Sequence, residues 1–181
     1  LVSVFYRFFL AAIILFIFCY FKGMKFNFSF KNHFYICLLG ILLFNINYVL
    51  FYISTQYLIS GLVCLCFSAL LIMNIFNYFV FYKEKPSLMT VLGSTFGLIG
   101  LLIIFNKEIF NFDYKIGTSF GILVGLIATY IASLGNIVSI KNSKDNLNII
   151  SVNALAMLYG SISLFVYLIV TKSNFDFEIK P

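Results

Sequence analysis

Six stretches of the chain each run for about twenty residues almost without charge, and stretches of that kind have few ways to fold. At about 1.5 Å per residue, a helix of ~20 residues crosses the ~30 Å hydrocarbon core of a bilayer. The runs are Leu1 to Phe21, Phe34 to Ser54, Leu58 to Tyr82, Leu88 to Asn106, Gly117 to Ile140 and Asn148 to Val170. Strands of a membrane barrel alternate polar and apolar residues, and these runs do not. The pattern predicts an all-α polytopic membrane protein with six transmembrane helices. Composition agrees, since 62% of the 181 residues are hydrophobic and only 10% are charged. A soluble domain carries about 25% charged residues to cover its surface. A soluble enzyme, a disordered tail and a disulfide-stapled secreted module are therefore excluded.

The connections alternate between the two membrane faces. On one face, Lys22 to His33, Lys83 to Ser87 and Lys141 to Leu147 hold Lys22, Lys25, Lys31, Lys83, Lys85, Lys141 and Lys144. On the other, Thr55 to Tyr57, Lys107 to Ile116 and the tail Thr171 to Pro181 hold Lys107, Lys115, Lys172 and Lys180. Basic residues concentrate on cytoplasmic loops, so loops 22–33, 83–87 and 141–147 are expected in the cytoplasm. The net charge of +6 is then a topology signal. No basic stripe interleaved with aromatics exists, so nucleic acid is not an expected partner. The lipid bilayer is. Tyr20, Tyr35, Tyr57, Tyr82 and Tyr114 lie near span ends, as interface anchors do.

Metal and cofactor chemistry finds no support. Cys19, Cys37, Cys64 and Cys66 all sit in apolar runs, no Cys-x-x-Cys pair exists, and His33 is the single histidine. No cofactor is expected. An enzyme embedded in the membrane needs clustered His, Asp, Glu or Cys, and that cluster is missing as well.

Small and polar residues form stripes on several runs. The fourth carries Gly93, Gly97 and Gly100, which predicts close packing against a neighbouring helix. The fifth carries Thr118, Gly121, Gly125, Thr129, Ser133 and Asn136 on one face, with Gly121 and Gly125 again as packing positions. The sixth carries Asn153, Ala156, Gly160, Ser163 and Tyr167. The second has Asn45, Tyr48 and Tyr52, and the third has Asn74, Asn77 and Tyr78. A single Asn in a membrane helix is most simply interhelical glue. Four polar faces together point to a shared cavity, with Asn45, Tyr48, Asn74, Asn77, Thr129, Ser133 and Asn153 as lining candidates. Arg7 is the one charge inside an apolar run. Two readings stand for it: snorkelling to the nearby interface, or contact with a substrate anion at the outer mouth.

The order of local features resembles the EamA family of the drug/metabolite transporter superfamily. Arg7-Phe8-Phe9-Leu10-Ala11-Ala12 is similar to the start of the family's second helix. Gln56 to Leu62 resembles the short outer turn into its fourth, and Tyr82-Lys83-Glu84-Lys85-Pro86-Ser87 its Gly-Glu-basic turn, with Lys83 in place of the glycine. Leu92 to Gly100 resembles the glycine-rich fifth helix, and Gly117 to Ile140 the opening of the second repeat. A proline often found midway along the family's fourth helix is missing near Ala69 and Leu70. The resemblance implies a ten-helix carrier of two inverted five-helix repeats. Residues 1–106 are then the first repeat without its first helix, and 117–181 the truncated start of the second. The chain, opening at Leu1, is expected to be a segment of that carrier. The implied function is secondary transport of a small metabolite or drug-like solute across the cytoplasmic membrane by alternating access, in many members as export. The other reading is a non-transporting structural or accessory subunit, which needs packing faces alone.

Overall fold

The structure is a computed structural model and describes residues 1–106 and 116–171. Lys107, Lys115, Lys172 and Lys180, on which the lysine count of one face rests, lie outside the described residues, as does the anchor candidate Tyr114. Among the described residues six helices follow one another: α1 (Val2–Phe21), α2 (Phe30–Ser54), α3 (Ser60–Tyr82), α4 (Leu88–Ile104), α5 (Ile116–Lys144) and α6 (Ile149–Val170). Among the described residues there is no strand. Five of the helices are long and apolar enough to cross a membrane, while α4 is an apolar helix of 17 residues. It is shorter than its sequence run because the backbone leaves the helical region at Phe105.

Helix ends follow local chemistry. The Ser29 hydroxyl accepts from the Asn32 amide (3.4 Å) at the start of α2, and Ser87 accepts from Thr90 (3.1 Å) at the start of α4. Asn148 Oδ1 accepts from Ile150 (3.0 Å) and Ser151 (3.3 Å) at the start of α6. The three lysine-bearing turns each contain one residue at positive φ: Gly23 (61°), Lys83 (56°) and Asn146 (58°). A left-handed residue closes a helix by satisfying its last carbonyls. Lys83 stands there without the glycine's freedom.

Most close helix pairs are distant in sequence. Helix α6 lies between α1 and α2, α5 lies between α2 and α3, and α4 packs chiefly against α3. Helix α2 is the centre, with α6 on one side and α5 on the other. The tightest seam is α2 against α6, where Ile36, Leu39, Val152, Leu155 and Ala156 form one buried cluster. A Cβ placed on Gly40 would lie 2.3 Å from the Ala156 carbonyl, and one on Gly160 would lie 2.7 Å from the Gly40 carbonyl. The two backbones touch, as small residues allow in a bilayer where dispersion, not water exclusion, drives helix association.

The lysine-bearing turns gather at one end. Lys144 Nζ lies 2.8 Å from Glu84 Oε1, which also accepts, through Oε2, a short hydrogen bond from the Tyr78 hydroxyl. Lys141 Nζ lies 3.8 Å above the Tyr35 ring and Lys144 Nζ 3.9 Å above the Tyr82 ring. These contacts tie the ends of α2, α3 and α5 together. His33 Nδ1 and the Tyr159 hydroxyl are 2.9 Å apart, joining α2 to α6.

Candidate functional site

Both α2 and α3 are interrupted, and the interruptions face each other. In α2, a π-helical turn occupies Leu42–Ile46, an insertion that recurs at functional sites. In α3, regular helix stops at Ser68 and resumes at Leu70. No proline causes that second break. The Ala69 amide reaches back to the Cys66 carbonyl (3.3 Å), three residues earlier, and the Ser68 hydroxyl donates to Leu65 O (2.6 Å). The Thr129 hydroxyl of α5 also lies 3.0 Å from the Cys66 carbonyl, sharing its proton between that oxygen and Gly125 O of its own helix at 2.8 Å. A hydroxyl on the neighbouring helix thus stands where the expected proline does not.

The polar stripes mostly find one another. Asn45 Nδ2 donates to Ser163 Oγ (2.5 Å) across α2 and α6. Asn77 Nδ2 donates to Ser133 Oγ (2.8 Å), and Asn136 Nδ2 to Asn74 Oδ1 (3.2 Å), across α3 and α5. Thr129 and Ser133 are fully buried, and Asn77 nearly so. Gly121 and Gly125 pack against the end of α2 and the turn that follows it: a Cβ on Gly121 would lie 2.8 Å from Leu58 and Tyr57 side-chain atoms, and one on Gly125 3.0 Å from Ser54 Oγ. Asn153 stands apart, beside Asn142 at a void of about 10 Å³ near the start of α6. The polar residues thus meet in pairs across two seams, α2 with α6 and α3 with α5. Helix α5 packs against α3 as well as α2, so the polar faces of α3 and α5 meet each other.

A cavity of about 630 Å³ remains between α2, α3 and α5, closed on one flank by Leu101 of α4. Both helix interruptions border it, through Leu43 and Phe44 on one side and Ser68 and Leu70 on the other. Of the seven lining candidates read from sequence, Tyr48 lines it. Asn47, Ser68 and Asn136 are its other notable polar residues. Asn47 escapes a search for one polar face because it lies two positions from Asn45, on the other side of the helix. Its signal is the Asn45/Asn47 pair itself, which marks a helix polar on two sides. A second cleft of about 640 Å³ lies toward the lysine end of the same three helices, bordered by Tyr35, Leu42, Tyr82, Ile137 and Lys141.

The remaining candidates lie elsewhere. Arg7 is exposed on α1 and does not line the cavity. The glycine stripe of α4 forms no close seam among the described residues. A Cβ on Gly93 or Gly100 would meet nothing within 4 Å, and one on Gly97 would make an ordinary 3.8 Å contact with Leu71. No residue of α4 is buried.

Membrane-length helices, two of them interrupted beside a cavity, define a polytopic helical membrane protein. The sequence profile of the EamA-like transporter family matches residues 1–106, more than half of the chain, and the chain belongs to that family. It is also similar to the uncharacterized transporter YoaV of Bacillus subtilis (strain 168), at 29% identity over 178 residues. That alignment takes in 97% of this chain and 57% of YoaV, so the chain spans little more than half of that relative's length. The family is one of transporters.

Proposed function

We propose that this chain forms the substrate-handling part of a secondary carrier in the cytoplasmic membrane, which moves a small metabolite or drug-like solute outward by alternating access. The observation that carries this reading is the pair of helix interruptions facing one cavity. In a bilayer, irregular backbone is tolerated where it is buried in protein or lines a cavity, and carriers place their solute sites beside such breaks. The cavity and the second cleft are lined by the same three helices, which supplies a route along α2. The helices on its walls come from both sides of residue 106, in keeping with a site between a first repeat (1–106) and the start of a second (117–181). The lysine-rich turns 22–33, 83–87 and 141–147 then face the cytoplasm.

The test is solute flux. The intact protein in proteoliposomes is expected to move a radiolabelled solute down its gradient, and oriented vesicles read the direction. Flux equal to that of empty liposomes across a broad metabolite panel would leave the accessory-subunit reading. The topology has its own check. A cysteine at Asn27, in a background without the four native cysteines, should resist an impermeant reagent added outside intact cells. Labelling there would invert the arrangement.

A further inference from the structure

A helix interrupted within a bilayer releases carbonyls that need other donors, because the hydrocarbon offers no water. At the α3 interruption two consecutive carbonyls are met by hydroxyls. In an unbroken helix the Ala69 amide would donate to Leu65 O. Here Leu65 O accepts from the Ser68 hydroxyl at 2.6 Å, and the Ala69 amide turns to Cys66 O at 3.3 Å. Cys66 O has a further donor in the Thr129 hydroxyl of α5 at 3.0 Å. Thr129 is fully buried. Helix α5 comes this near through Gly125, one turn earlier, where a Cβ would already lie 3.2 Å from that of Cys66. The second half of α3, Leu70–Tyr82, is tied to α5 along its length, by Asn77 to Ser133 (2.8 Å), Asn136 to Asn74 (3.2 Å) and the Tyr82 hydroxyl to Ile137 O (3.4 Å). The Thr129 contact lies at the interruption itself, on the end of the first half, Ser60–Ser68.

We propose that Ala69 is a hinge in α3 and that Thr129 is the residue that positions it. By donating to Cys66 O, the Thr129 hydroxyl compensates the carbonyl that a bent helix releases, so Ser60–Ser68 can tilt against Leu70–Tyr82 without leaving a polar group unpaired. Ser68 and Leu70, on either side of the hinge, both border the cavity, so a tilt there reshapes the cavity wall. The use of that motion to move a solute rests on the carrier reading, whereas the hinge itself does not. Thr129 also donates to Gly125 O of its own helix at 2.8 Å, the common local bond of a threonine in a helix. A hydroxyl serving that bond alone would hold nothing in α3, and removing it would leave α3 as it was.

Amide hydrogen exchange of the intact protein in lipid nanodiscs reads the hinge without any solute. In wild type, amides 66–73 are expected to exchange about tenfold faster than amides 75–80 of the regular second half, because an interrupted ladder opens more readily. Thr129→Val keeps the shape and removes the hydroxyl. The Ala69 amide should then return to Leu65 O and slow exchange over 66–73 by about fivefold, the scale of one hydrogen bond. Thr129→Ser should keep the wild-type rate. Ala69→Pro fixes the interruption by another route, since proline lacks the amide hydrogen and holds φ near about −65°, and Ala69 already stands at −60°. Added to Thr129→Val, it should restore fast exchange, which it would not do for a bond that merely ties α3 to α5. Should Thr129→Val fail to accumulate, Ala69→Pro alone decides: it should reach the membrane at wild-type levels, while Ile75→Pro, inside regular helix, should not. Ala69→Pro as damaging as Ile75→Pro overturns the inference. So do a rate unchanged or raised in Thr129→Val, and a rate that Ala69→Pro does not restore. Flux with a uniform exchange profile along α3 would sink the hinge and keep the carrier. The expected exchange pattern without flux would sink the carrier and keep the hinge.

Discussion

Two regions of this molecule carry the same kind of sequence and meet opposite fates. Ala156 and Gly160 of α6 are four apart, as are Gly93 and Gly97 of α4. At the first pair the backbones of α2 and α6 touch, with the Ala156 carbonyl 2.3 Å from where a Gly40 Cβ would be. At the second pair the nearest atom belongs to a flexible leucine, 3.8 Å from a Gly97 Cβ. A small-residue row removes the steric obstacle to close approach, but it supplies no partner. The partner of Ala156 and Gly160 is a third small residue, Gly40, placed more than a hundred positions away. The α4 row has no such counterpart among the described residues.

The comparison breaks or holds most visibly in a pair of substitutions. Gly160→Leu should abolish assembly, costing about 3 kcal/mol or more, because its Cβ would sit 2.6 Å from that of Phe44 with backbone beside it. Gly97→Leu should cost less than about 1 kcal/mol, since only the Leu71 side chain must move. Membrane abundance and thermal unfolding in detergent measure both. Equal damage from the two would show that α4 packs on something beyond the described residues.

A smaller effect is expected at the α3–α5 seam. Asn77→Ala removes the donor to Ser133 and should lower stability by about 1 kcal/mol, the usual scale of an interhelical hydrogen bond in a bilayer. The double variant with Ser133→Ala should cost little more than either single change. Fully additive costs would mean the two side chains do not act as a pair.

At the lysine end the expected changes are smaller still. Lys83 holds φ at 56°, where a side chain is strained and glycine is not. Lys83→Gly should therefore raise stability by about 0.5 kcal/mol, visible as a higher melting temperature. A lower one would show that the lysine side chain contributes more than its backbone costs.

The last effect is a pH dependence. The hydrogen bond from Lys144, and then that from Tyr78, hold the exposed Glu84 carboxyl below its ordinary value of 4.5. A carboxyl lowered on folding adds stability above its unfolded value, and that contribution is lost as pH falls through the folded one. Wild type should therefore melt slightly above Glu84→Gln near neutral pH, and the gap should close in acid below the ordinary carboxylate range. A gap that widens in acid would contradict the pairing.

The helices were almost fully legible from hydropathy, because crossing ~30 Å of hydrocarbon demands length and apolarity that are local properties of the chain. Observed ends match the apolar runs within a few residues, with α2 beginning four residues earlier, at Phe30, where Ser29 supplies the cap. The family was legible too, since its motifs are local and ordered. The break in α3 was not. The sequence near Ala69 lacks the proline that signals one, and the Thr129 hydroxyl that holds the Cys66 carbonyl lies sixty-three residues away. Nor was the site. Helical periodicity tells which residues share a face of one helix, but not which helix that face meets. Sequence by itself determined six apolar helices, their order and the polar character of their faces. Only the tertiary structure decided that α5 and α6 insert on either side of α2. That insertion pairs Asn45, Asn77 and Asn74 with Ser163, Ser133 and Asn136, because hydrogen-bond partners are fixed by spatial contact and not by spacing along the chain.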